Sequence, residues 1–420
     1  MEEKLLKRRW GVLAALFIAL LGLQTCLIIP GGCALPLMER YQCDPTQFSM
    51  VMSVSYFTGV LFGLFSGTLS DRIGVKRVFL AGFILALIGT IWRALSGDSY
   101  LMLFLSSFVI GFATAVLNAN SAKVIRAWFP GKFASTAFGV YVCGASLGAA
   151  VALQIGARTD VQTCWWICVG VMATVLVLWV ILYRDHPDGV EVEEPLSKHL
   201  GIVVKNKSVW GISLFAFVFL GCTPLATTYM IAALQVVNGA DPATAANLST
   251  INTVLVCVSC LVLPSVIVRF KHLRGIMWVL LLGTGIFYSA AFLVGTDNPA
   301  ITAIVIAIGG VFVGGVMSTT KSMPALLPDL DPKYMGAAGG FHSMFQNLGM
   351  WLVPAYIVPP ICAAATQTDG PAFYQAIFIG ILVCCVIAGL IQFTYPNLRT
   401  NVADMLADKA AEEQQQQGQQ

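Results

Sequence analysis

Twelve apolar stretches of roughly twenty residues, none with an acidic residue in its interior, follow one another along the 420-residue chain. Inside a bilayer the backbone has no water to bond, so each such stretch must satisfy its own N–H and C=O groups as a helix. The hydrophobic share of 57% against 11% charged residues excludes a water-soluble fold. The expected class is an all-α membrane protein with transmembrane helices near 10–36, 47–69, 78–96, 100–127, 133–156, 164–183, 208–234, 244–267, 275–294, 299–325, 337–362 and 372–395.

The long charged interior segment from Arg184 to Ser208 separates two sets of six spans and reads as a linker. The organisation predicted is a first six-helix bundle over 1–183, a cytoplasmic linker over 184–207, a second bundle over 208–395 and a disordered tail over 396–420. Lys and Arg divide very unevenly between the two sets of loops. One side holds Lys4, Lys7, Arg8, Arg9, Arg72, Lys76, Arg77, Arg126, Lys132, Arg184, Lys198, Lys205, Lys207, Arg269, Lys271, Arg274, Lys333, Arg399 and Lys409, and the other only Arg40, Arg93 and Arg158. By the positive-inside rule both termini and the linker are cytoplasmic, in a protein expected at the cell membrane.

The halves repeat one another. Trp10-Gly11 recurs as Trp210-Gly211, Arg72 and Arg77 as Arg269 and Arg274, Lys123 and Pro130 as Lys321 and Pro328, and Leu147-Gly148 as Leu348-Gly349, at a nearly constant offset. An ordered set of matches of this kind means two six-helix units in tandem, which rock about a shared central site.

The loop after the second span reads GTLSDRIGVKR, Gly67 to Arg77. It resembles the signature loop of the major facilitator superfamily. Gly67 allows close helix approach, Asp71 puts a negative charge at a helix end, and Gly74 permits a tight turn before Lys76 and Arg77. The resemblance implies two pseudo-symmetric six-helix bundles and a gating role for Gly67, Asp71, Arg72, Gly74, Lys76, Arg77 and Arg126. The second copy has Val268 where Asp71 stands, so an asymmetric clamp is expected. The stretch from Lys123 to Trp128-Phe129-Pro130 is similar to branches that carry organic acids, cyanate or nitrate. Two departures, Ser107 in place of an Arg and Ala145 in place of a Pro, speak against proton-driven drug efflux.

Proton-coupled and cation carriers commonly need a carboxylate inside the membrane, and no span supplies one. Lys123 and Lys321 instead lie within the fourth and tenth spans, which the resemblance places at the central cavity. Each ammonium costs roughly 2.5–3.5 kcal/mol to insert. An anionic substrate is the natural counter-charge; the other reading is that both amines snorkel to the inner surface. Further cavity candidates are Gln24, Thr25, Asn120, Thr228, Tyr229 and Ser318, each of which could equally serve as interhelical glue. His342 is a candidate pH-sensitive or structural histidine.

The expected function is secondary transport of a small organic anion, a carboxylate by preference, through alternating access. The alternatives are efflux of neutral or amphipathic compounds and a sensor that keeps the transporter fold. An enzyme is not expected, and neither is a metal, a cofactor or nucleic acid. The expected partners are the anionic substrate, membrane lipid and a co-transported ion, around a monomer.

Overall fold

The computed structural model describes residues 2–129, 133–185, 201–267, 269–270, 272–294, 298–331, 334–366 and 370–398, without the side chains of 2–7, 64–65, 67–68, 71, 133–136, 325 and 336. Most of the predicted linker and nearly all of the predicted tail lie outside the described residues, as do Lys132, Val268, Lys271, Lys333, the side chain of Asp71 and the surroundings of Gly67.

Among the described residues twelve long helices follow in order: α1 (Glu2–Gly32), α2 (Pro45–Ile73), α3 (Val75–Ala94), α4 (Tyr100–Trp128), α5 (Phe133–Arg158), α6 (Val161–Leu182), α7 (Lys207–Val236), α8 (Pro242–Ile267), α9 (Leu273–Leu293), α10 (Pro299–Ser322), α11 (Met335–Leu352, continued by Val358–Thr366) and α12 (Pro371–Ile391). Among the described residues eleven are long and apolar enough to cross a membrane. The remaining one, α2, is 29 residues long, or roughly 43 Å at 1.5 Å per residue.

Local chemistry sets the helix ends. Asp44 opens α2 with a reciprocal capping box: its carboxylate accepts from Gln47 N–H at 2.8 Å, and Asp44 N–H donates to the Gln47 side chain at 3.1 Å. Gly74, at φ 92°, makes the turn into α3 that a residue with a Cβ would resist. Asp160 opens α6 by accepting from the hydroxyl and the N–H of Thr163, at 2.6 and 2.9 Å.

Those two bonds hold the Asp160 carboxyl below the usual carboxylate range, the hydroxyl contributing more. A depressed folded-state pKa stabilises above the unfolded value of about 3.9 and is lost as pH falls through the folded one. Asp160→Ala therefore lowers the melting temperature at neutral pH. The difference from wild type shrinks to nothing in melts run at successively more acidic pH.

The sequence repeat reappears as a repeat of packing. In the first set α1 lies against α5 and α6, α2 against α4, and α3 against α4 and α6. In the second, α7 lies against α11 and α12, α8 against α10, and α9 against α10 and α12. Gly148 and Gly349 are matched parts of this scheme: a Cβ on the first would run into the Leu21 carbonyl of α1, and one on the second into the Phe217 carbonyl of α7. With no side chain at those points the backbones pack directly, as small residues permit between membrane helices.

Two features differ from the sequence expectation. The first span stops at Gly32, and a separate short helix, Ala34–Tyr41, follows it. The eleventh loosens into a π turn over Val353–Ile357, where Pro354 brings no N–H to the ladder. Trp165, at the start of α6, is fully buried and donates to the Tyr41 hydroxyl at 3.1 Å, while its neighbour Trp166 is exposed.

Candidate transport site

The two sets of helices meet along two seams, α2 with α11 and α5 with α8, and α1 also touches α7. On the face opposite the basic loops these seams are shut. The Tyr229 hydroxyl donates to the Pro45 carbonyl at 2.6 Å, and the Ser49 hydroxyl donates to the Pro354 carbonyl. Gly31 lies so close to α7 that a Cβ there would come within 2.9 Å of the Thr227 carbonyl. Gln154 of α5 donates to Thr250 of α8 at 2.7 Å, and Arg158 donates to the Asn247 side chain at 3.1 Å.

Toward the basic face the α2–α11 seam opens. Phe57 and Trp351 stack with centroids 4.0 Å apart, and a Cβ on Gly59 would meet the Asn347 amide at 3.3 Å. Gly63 sits one turn further along the same face of α2. Among the described residues nothing lies within 4 Å of its Cβ position, or of that of Gly339 on α11. Among the described residues the α2–α11 seam thus parts between Gly59 and Gly63, toward the basic side.

Gly63→Leu consequently fits this state without a clash. It obstructs any state in which the basic-side seam closes. The expected result is an unchanged melting temperature with slowed transport, read by thermal unfolding and vesicle uptake on the same preparation.

The predicted site residues fall into two groups. Several are absorbed into packing. The Thr25 hydroxyl bonds the carbonyls of Leu21 and Gly148, at 2.9 and 3.2 Å. Asn120 is fully buried, and its amide donates to Ser66 of α2 at 3.0 Å. Thr228 is buried, and Tyr229 belongs to the shut seam. Other residues retain accessible surface: Gln24 on α1, Asn118 and Lys123 on α4, Thr223 and Thr227 on α7, and Ser318 and Lys321 on α10.

Lys123 is half-buried five residues before the end of α4, and Lys321 is exposed in the last turn of α10. Arg126, also exposed, shares the last turn of α4. Cations there complement the partial negative charge of helix C-termini. Lys321 makes no ion pair among the described residues. Of the gating residues of the α2–α3 loop, Arg72, Gly74 and Arg77 are exposed and Lys76 is half-buried. His342 is buried with neither ring nitrogen hydrogen-bonded.

Sequence reasoning overlooked Arg93, which it assigned simply to the outer side. Arg93 ends α3 and is 2% exposed; its guanidinium donates to the Cys26 carbonyl of α1 at 3.0 Å and to Ser107 of α4 at 2.8 Å, beneath the Trp165 ring. The reason lies in α1. Residue 30 is proline, so the Cys26 carbonyl lacks its usual i+4 N–H donor, and Arg93 supplies one. In α7, Pro224 orphans the Leu220 carbonyl in the same way, and the Thr223 hydroxyl takes it at 2.7 Å. The interior prolines were the available signal, since each leaves one carbonyl seeking a donor.

A sequence profile described as the Major Facilitator Superfamily matches residues 12–354. The chain belongs to that superfamily. As a superfamily transporter it is 26% identical over 339 residues to the nitrite extrusion protein of Bacillus subtilis (strain 168), covering 77% of this chain and 79% of that protein. It is 23% identical over 209 residues to the hexuronate transporter of Escherichia coli (strain K12), across 43% of this chain and 47% of that one. Its fold matches a bacterial homolog of the human lysosomal transporter Spinster, solved in an inward-facing and unoccupied conformation. The TM-score is 0.75 at 15% identity, over 92% of this chain and 98% of the other.

Proposed function

We propose that this transporter moves a small anion bearing a planar O–X–O⁻ group, a carboxylate by preference, across the membrane by alternating access. The observation that carries the reading is the charge inventory. No span contains an acidic residue in its interior, while α4 and α10 bear lysines at matched positions of the repeat. A mobile anion brings negative charge to this positively charged interior for as long as it is bound. Carboxylate and nitrite share the two acceptor oxygens that ammonium and amide groups can bond, so similarity both to a nitrite extrusion protein and to a hexuronate transporter supports the same chemistry.

In this reading Lys123 and Lys321 attract the anion to the basic-side opening. Gln24 and Ser318 orient it with their accessible polar groups, and Asn120, Thr25, Thr228 and Tyr229 hold the helices that carry them. The basic loop around Asp71, Arg72, Gly74, Lys76 and Arg77 closes that side when the opposite one opens. The two bundles, 1–183 and 208–395, are the bodies that rock.

The test is counterflow in proteoliposomes. Vesicles preloaded with an unlabelled small carboxylate, with nitrite or with a neutral sugar are each given the labelled form of the same solute. Exchange of either anion without the sugar is expected. Exchange of the sugar alone, or specific binding of an anion with no flux, overturns the reading.

A further inference from the structure

The α5–α8 seam joins the two halves along much of its length, and a pair of thiols lies in its middle. Gly139 faces Leu261, Cys143 faces Cys257, and Gln154 faces Thr250. The numbers rise on α5 as they fall on α8, so the two helices run antiparallel in contact over roughly 22 Å at 1.5 Å per residue. The sulfurs of Cys143 and Cys257 are 3.8 Å apart, which is van der Waals contact. Both residues are half-buried, so a small neutral reagent can reach them through the membrane.

The other cysteines have a different disposition. Cys26, Cys33, Cys43, Cys164 and Cys168 all belong to the first set of helices, and Cys222, Cys362, Cys384 and Cys385 to the second. Cys260, one turn from Cys257, bonds the Gly314 carbonyl of its own half at 3.3 Å. Among the described residues Cys143 and Cys257 are the thiols that touch across the halves.

We propose that Cys143 and Cys257 are an oxidation site, at which a membrane-permeant two-electron thiol oxidant ties the halves together and holds the carrier open to its basic side. With an azo compound such as diamide, one thiolate adds to the N=N bond. The second thiolate then attacks the sulfur of that adduct, the S–S bond forms as the S–N bond breaks, and the two protons and two electrons of the thiols end on the hydrazine. A disulfide is about 2.05 Å long, so the sulfurs close a little under 2 Å by side-chain rotation and a slight approach of α5 to α8. The inference concerns the seam and is independent of which solute is carried.

The experiment uses the full chain in membranes, with a protease site inserted between residues 186 and 200 and cut after folding. Diamide is expected to keep the two fragments together on a denaturing, non-reducing gel, and dithiothreitol to release them. Cys143→Ser and Cys257→Ser each abolish the link, whereas Cys260→Ser retains it. A second readout needs no substrate: Ser49→Cys, in the shut seam, is labelled by an impermeant maleimide from the far side only when that side opens. Its labelling is expected to stop on oxidation and return on reduction. Fragments that separate after diamide, a link that survives Cys143→Ser, or labelling that continues in linked protein would each overturn the proposal.

Discussion

Replacing Lys123 and Lys321 together by glutamine is expected to raise the anion concentration for half-maximal uptake by roughly thirtyfold. That corresponds to a loss of about 2 kcal/mol, the size of one or two charge-assisted hydrogen bonds after allowance for solvent screening at an accessible mouth. The direction follows from charge. Glutamine keeps length and hydrogen-bonding capacity but removes the positive field, which nothing else on α10 restores. Expression and melting temperature should be preserved, because a neutral amide costs less to hold in a membrane than an ammonium. Arginine at both positions should retain most of the uptake, and added salt should weaken transport by the wild type more than by the double variant. Unaltered uptake by the glutamine variant would mean that both amines serve only the membrane surface.

The largest structural effect is expected at the matched glycines. Gly148→Leu and Gly349→Leu each force a side chain into a backbone carbonyl of the neighbouring helix, Leu21 of α1 or Phe217 of α7. A flexible side chain can move aside, whereas a carbonyl in a helix brings the whole helix with it. The loss should exceed about 3 kcal/mol, beyond ordinary overpacking. Each variant should fail to give a monodisperse peak on size-exclusion chromatography in detergent. Gly170→Leu is the control: its Cβ position has nothing within 4 Å, and it should behave as wild type or melt slightly higher because leucine is the better helix former. If Gly148→Leu ran as wild type, α1 and α5 would not pack through that glycine.

Sites and seams were read less completely from sequence than spans. The Leu-Gly repeat at 147–148 and 348–349 was visible as a repeat, but its purpose was not, since the reason for glycine is a carbonyl on a helix more than a hundred residues away. The resemblance places α4 at the cavity, yet of its two asparagines Asn120 turns to Ser66 while Asn118 is exposed. Periodicity fixes which residues share a face and leaves open which neighbour that face meets. Cys257 stands three residues from Cys260 along one helix, a spacing visible in the sequence. Its actual neighbour is Cys143, 114 residues earlier, in the other half.

The sequence by itself determined that this chain is a bundle of membrane helices in two repeated sets, because insertion into lipid is decided span by span from local composition and internal hydrogen bonding. It also determined that the interior of the spans carries positive charge and no negative charge, since that is a matter of which residues occur where. Only the tertiary structure decided which face is shut, where the α2–α11 seam parts, why Arg93 can be buried and which cysteines meet. These depend on contacts between helices distant along the chain, and within lipid such contacts are set by close packing of small residues and single polar bonds, neither of which leaves a periodic mark in the sequence.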